Sequence, residues 1–360
     1  MNFDELALLT ALNAPVGFEE PVLEYMAAEL HVTCDHLEID VRGNLYARQQ
    51  RDPSKPLVML MAHADEIGFL ITSILPGGFL AFTRVGFPTD MVLAGQRVQV
   101  LTSKGTLQGT IGVKPGHVLR GNEARIVPPV DALYIDVGAA SAEEAAAWGI
   151  EPGTPVTFYG PLTQTAHPDR VMGKAIDNRI GCLSLLEIAR RIHAEGSQQF
   201  NVVYVVTVEE EVGLRGAELA ARYVNPDVVI AIDTVPAGGT PDLGPHELPW
   251  TIGAGPLLKV RETNGLSTHG PLRTLLREVA AAHNIPYQII VDTAGITDGS
   301  AAQQASGKIA AAVLGLPRRY SHSAVEVLDL RDARRLVDWV CALLPQLRNR
   351  EQLLRIKLPS

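Results

Sequence analysis

Three apolar runs each stop at residues that ionise, and this pairing limits the fold more than any other feature of the chain. LVMLMA (57–62) is followed by His63, Ala64, Asp65 and Glu66. NVVYVVTV (201–208) runs into Glu209, Glu210 and Glu211, and DVVIAI (227–232) into Asp233. Continuously apolar runs of this length read as strands buried on both faces. Helical patterns alternate with them: Ile180, Leu183, Leu186, Ile188 and Ile192 recur at helical spacing, as do Leu336, Val340, Leu343 and Leu347. Asp329 is placed to cap the last helix and Gly196 to end the earlier one. The pattern predicts an α/β fold, a central mixed sheet covered by helices on both faces.

The middle of the chain reads differently. It is rich in Gly, Pro, Thr and Val, and RVQVLTSKGTLQGTIGV predicts two short strands around a Lys-Gly turn. One Ala-rich helical piece, SAEEAAAW, interrupts it. This predicts a small β-rich domain, PDZ-like or barrel-like, at 71–165. It is inserted into an α/β domain made of 1–70 and 166–360.

Composition excludes some classes. The chain has 360 residues, 46% of them apolar, which suffices for a full core. Its net charge of −9 comes without a basic cluster, which argues against nucleic acid or an anionic membrane as partner. No run approaches a membrane span. The N-terminus has early acidic residues and the spacing of a surface helix, not a secretory signal. The three cysteines, Cys34, Cys182 and Cys341, are far apart and form no disulfide framework. Together these predict a cytoplasmic protein.

In doubly wound sheets, ligands gather outside the carboxyl ends of the strands. His63, Glu210, Glu211 and Asp233 all fall there. Asp177, in GKAIDNR, precedes a helix, and His322, in RRYSHSAVEV, lies close before the last one. Each residue taken singly has a plain structural role. His63 fits a hydrogen-bonded strand end, Asp177 a helix cap, Glu209 to Glu211 an acidic first turn, Asp233 an Asx turn, and His322 a surface position. Taken together they conflict, because two bare charges about 4 Å apart repel by about 4 kcal/mol at an effective dielectric near 20. Protons or a cation must relieve such a cluster. Mixed His, Asp and Glu ligation suits Zn²⁺, with Co²⁺ or Mn²⁺ as alternatives.

At these residues the chain resembles a known family. HADEIGF, GKAIDNRIG, EEEVGLRGA, AIDTVPAGGTP and RRYSHSAVEV, in this order, are similar to motifs of the tetrahedral (TET) aminopeptidases. These are the glutamyl and deblocking types within the MH clan of di-zinc exopeptidases, and the resemblance runs over nearly the whole chain. It implies two divalent metal ions per subunit. His63 and Asp233 would hold one ion, Glu211 and His322 the other, and Asp177 would bridge them. Glu210 would be the general base, and Asp65 would orient the His63 ring. Glu209 falls before the matching pair and receives no metal role.

The resemblance implies removal of N-terminal residues from short peptides by attack of a metal-activated hydroxide. It also implies a homododecamer built from dimers, paired through the inserted domain. A related deacylase or carboxypeptidase, an endoglucanase, and a non-catalytic peptide-binding assembly are the competing readings. Gly239 stands where relatives often carry an acidic residue, and ITDGSAAQ (296–303) follows the family's Gly-Ala-rich loop only loosely. Both bear on substrate preference, which the sequence leaves open. Arg261 and Arg318 are candidates to meet an acidic substrate side chain, with an ordinary surface position as the plainer reading. His117, His167 and His269 are without a role.

Overall fold

The computed structural model describes residues 1–49, 52–123, 126–196, 200–293 and 295–356. The three apolar runs form adjacent parallel strands, Asn201–Thr207, Leu57–His63 and Val228–Pro236, at the centre of a mixed sheet. Ala310–Arg319 continues the sheet in parallel beside Val228–Pro236. Antiparallel strands extend both sides: Leu45–Gln49 and His36–Ile39 on one, Glu326–Asp329, Arg170–Gly173 and Thr163–Gln164 on the other.

Side chains alternate between the two faces, as strand geometry demands. Val58, Leu60, Val202, Tyr204 and Val206 point into one core, with the helices Phe3–Ala11, Glu20–His31, Ile176–Glu195 and Leu330–Leu343. Met59, Met61, Val203 and Val205 point into the other, with Arg215–Val224 and Asp298–Ala305. Both faces are dry, so the runs are continuously apolar rather than alternating. Burying each such side chain contributes about 1.5–3 kcal/mol.

The β-rich middle is a closed six-stranded barrel with its own core, including Phe69, Phe82 and Phe158. Its strands run from Gly68–Ile74 to Pro155–Phe158, and the Lys-Gly turn joins Arg97–Thr102 to Gly105–Ile111. The Ala-rich piece is the helix Ala142–Ala147.

Two caps fall where the sequence puts them. The Asp329 side chain accepts from the Arg331 N–H, and Gly196, at φ +79, ends its helix. A third differs: Asp177 does not cap the helix that follows. The neighbouring Asn178 does, its Oδ1 accepting from the Gly181 N–H at 3.1 Å, which leaves the Asp177 carboxylate available for other contacts. Among the described residues, no helix is long and apolar enough to cross a membrane.

Candidate active site

Parallel register gathers the site. Thr207 pairs with His63, and Met61 with Ala231, so His63, Thr207 and Asp233 reach one level. Asp233 follows Ala231 by two residues and therefore projects from the same face. Beyond Thr207 the chain turns sharply, with Glu209 in the left-handed region at φ +56. The Glu209 carboxylate leaves the site and grips Arg42 at 2.9 Å. Glu210 and Glu211 then line the same pocket as His63, Asp177, Asp233 and His322.

Asp65 holds both sides of this turn. Its two carboxylate oxygens accept from the N–H groups of Glu210 at 3.1 Å and Glu211 at 3.0 Å. The same carboxylate lies 3.4 Å from His63 Nδ1. From below, the fully buried Arg179 donates to the Ala64, Leu9 and Leu12 carbonyls and to Glu66. Lys174 also binds Glu66, at 2.7 Å. The turn that follows His63 is thus fixed to the C-terminal end of the first helix, Phe3–Ala11.

His63 Nε2 stands 3.2 Å from Asp177 Oδ1 and 3.6 Å from Asp233 Oδ1. His322 Nε2 stands 3.5 Å from Asp177 Oδ2 and 3.6 Å from Glu211 Oε2. The other nitrogen of each ring faces a backbone carbonyl: His63 Nδ1 lies 3.2 Å from Asp65 O, and His322 Nδ1 lies 3.3 Å from Phe87 O. A carbonyl can only accept, so Nδ1 must carry the proton in both rings. In the neutral tautomer both Nε2 lone pairs then point at carboxylate oxygens, which is repulsive without a cation between them. Nδ1–H donated to a carbonyl, with Nε2 free, is the arrangement of a metal-ligating histidine.

Two further observations fit divalent ions at these positions. Asp177 Oδ1 and Glu211 Oε1 are buried without a hydrogen-bond partner. The ligand atoms of His63, Asp177 and Asp233 lie within 4.8 Å of one another, as do those of Asp177, Glu211 and His322. Asp177 belongs to both groups.

The electrostatics show what the cluster costs when only protons balance it. Burial pushes the Glu211 carboxyl up to about 8, with Asp177 adding to the effect. Burial likewise raises Glu210 well above the usual carboxylate range, helped by Asp233 and Glu211. Burial alone would lower His322, but Asp177 and Glu211 lift it to about 9. His63 is held well above its usual value, because Glu210 and the carboxylates around its ring outweigh its burial.

The barrel closes one wall. Gly86, at φ +78, brings it so near that a Cβ there would lie 2.6 Å from Ile67 and 3.4 Å from Glu211 Oε2. A side chain at this position would be pressed into the site.

Two further residues, Glu326 and Arg318, brace the candidate ligand set. Glu326 accepts from the backbone N–H of Asp177 and of His322, each at 3.0 Å, and also binds Arg318. It ties together two residues 145 positions apart. The available signal is an acid opening the short strand EVLD, four residues after His322. Arg318, from sequence either a substrate contact or a surface arginine, is buried and bound to Asp177, Glu326 and Thr234. Arg261 is exposed at the end of Leu257–Arg261 and does not line the pocket. Nor do His117, His167 and His269. Orienting groups of this kind typically control metal affinity by about 10–100-fold. Glu326→Ala is therefore expected to weaken metal binding by about that factor in equilibrium dialysis. Unchanged affinity in a folded variant would remove Glu326 from the account.

Comparison with known proteins places these features in context. Residues 43–338 match the family model for M42 glutamyl aminopeptidase. The chain is 30% identical to a glutamyl aminopeptidase of Lactococcus lactis, over 99% of each chain. It is 33% identical to a lysyl aminopeptidase of Pyrococcus furiosus, over 87% of this chain and 88% of the relative. It superimposes on a TET aminopeptidase from Thaumarchaeota archaeon SCGC AB-539-E09 with a TM-score of 0.93, at 32% identity and 97% coverage of both. A Pyrococcus horikoshii TET1 peptidase, which can assemble into a tetrahedron or a large octahedral shell, matches with a TM-score of 0.84. That match is at 32% identity, over 95% of this chain and 98% of the other.

Proposed function

This chain belongs to the M42 glutamyl aminopeptidase family and is a metal-dependent aminopeptidase, and from that premise we propose how its own residues do the work. His63 and Asp233 would hold one divalent ion, Glu211 and His322 a second, and Asp177 would contribute to both. Zn²⁺ suits this donor set, with Co²⁺ and Mn²⁺ as alternatives. The observation that carries this reading is the convergence of both Nε2 atoms on Asp177, with each Nδ1 against a backbone carbonyl.

When bound, the ions supply Lewis acidity, polarising the scissile carbonyl and lowering the pKa of water toward neutrality. Glu210, beside Glu211 on the pocket wall, takes the proton from the attacking water. It then delivers that proton to the departing amine as the first peptide bond breaks. Asp65 keeps Glu210, Glu211 and His63 in register throughout, by the hydrogen bonds and close contact already described.

The test is release of the first residue from unblocked short peptides by the metal-loaded protein, abolished by a chelator and restored by metal. Release from the carboxyl end, or from blocked substrates only, would favour a carboxypeptidase or deacylase. Metal-independent cleavage of a polysaccharide would favour an endoglucanase. We further propose a homododecamer built from dimers that pair through the barrel; the tetrahedron that the TET1 relative can form supports a large closed assembly. Light scattering reads this directly, and a monomer at working concentration would refute it.

A further inference from the structure

The pocket above the carboxylates encloses about 1000 Å³, much more than the reacting atoms require. Away from the histidines, part of its wall is apolar: Val235, Leu248, Trp250 and Ile296. Trp250 is fixed there. Its indole N–H donates to the Pro236 carbonyl at 2.7 Å, and it packs with Val235 and Leu248 in one cluster.

Among the described residues, Arg84, Lys259 and Arg318 are the lysines and arginines that reach this pocket, and each is already engaged. Arg318 binds Asp177 and Glu326. Lys259 Nζ lies 2.8 Å from Glu262 and 3.0 Å from Asp292, with its side chain only 2% exposed. Arg84 binds Asp90 at 3.1 Å and the Pro88 carbonyl at 3.2 Å, on the barrel side.

We propose, building on the aminopeptidase reading above, that this pocket selects a neutral, apolar N-terminal side chain of leucine to phenylalanine size. It would discriminate against the acidic and basic residues named for its glutamyl and lysyl relatives. An acidic side chain entering it would lose its water and find no uncommitted cation, among carboxylates it repels. A basic side chain would meet Lys259 beside the one remaining anion, Asp292, which Lys259 already pairs. An apolar side chain loses nothing to desolvation and fills the wall around Trp250.

The experiment compares kcat/KM for the p-nitroanilides of leucine, phenylalanine, glutamate and lysine, using the full chain loaded with Zn²⁺ or Co²⁺. Leucine or phenylalanine is expected to exceed both charged substrates by at least about tenfold, a normal margin for pocket discrimination. Ile296 is 49% exposed, so it tolerates a larger side chain. Ile296→Arg adds an uncommitted cation at the wall and is expected to raise glutamate relative to leucine by about tenfold. Glutamate or lysine as the best wild-type substrate would overturn the proposal while leaving the aminopeptidase reading standing. So would an unmoved ratio in the variant. No turnover of any of the four would overturn the reading itself.

Discussion

Glu210→Gln keeps its metal and loses turnover, with kcat falling by about 10²–10⁴-fold, the range that general acid–base catalysis supplies. The change is nearly isosteric and removes only the ability to accept a proton. Glu210 stands apart from both groups of clustered ligand atoms, so metal content measured after gel filtration stays at the wild-type level. The backbone N–H of residue 210 still donates to Asp65, so the turn that presents Glu211 is preserved. A fall in KM alone, or kcat within a few-fold of wild type, would assign the base to another residue.

Asp177→Asn strips the site of metal altogether. Asp177 alone belongs to both clusters of candidate ligands, so its loss weakens both positions at once. Asp233→Ala or Glu211→Ala removes a ligand from one cluster only. Asn is preferred to Ala because Arg318 is buried against Asp177. Emptying one side of a buried ion pair costs about 3–5 kcal/mol. Glu326 remains beside Arg318 in the variant and limits that cost. Elemental analysis is expected to find little bound metal in Asp177→Asn and partial occupancy in the other two. Full occupancy in Asp177→Asn would end the bridging role.

How much of this could be read from the chain follows from which residues local pattern governs. His63 and Asp233 were readable because an apolar run defines a strand, and parallel neighbours finish at one edge. Glu210 and Glu211 needed one further fact, the left-handed turn at Glu209, for which nothing in EEE gives a signal. Asp177 and His322 were weak from spacing alone and gained weight through the resemblance of five ordered motifs. Glu326 and Arg318 depend on the antiparallel pairing of Ala310–Arg319 with Glu326–Asp329, a contact that no local pattern encodes. Arg318 reads as a surface arginine until the strand carrying it is seen to be buried. Barrel closure was hidden for a similar reason. It relies on Ile135–Asp136, too short to show any alternation.

The same division governs the two arginines considered as substrate contacts. Arg261 stays exposed, whereas Arg318 is buried in ion pairs with Asp177 and Glu326. Lys259 is the residue of Leu257–Arg261 that reaches the pocket, and a β-bulge between it and Arg261 puts the two on opposite faces. Lys259 is already neutralised by Glu262 and Asp292.

Anomalous X-ray scattering from crystals grown with Zn²⁺ tests the central claim most directly. Two peaks per subunit are expected, both touching Asp177, one also touching His63 and Asp233 and the other Glu211 and His322. A peak that avoids Asp177, or none in the pocket, would contradict it.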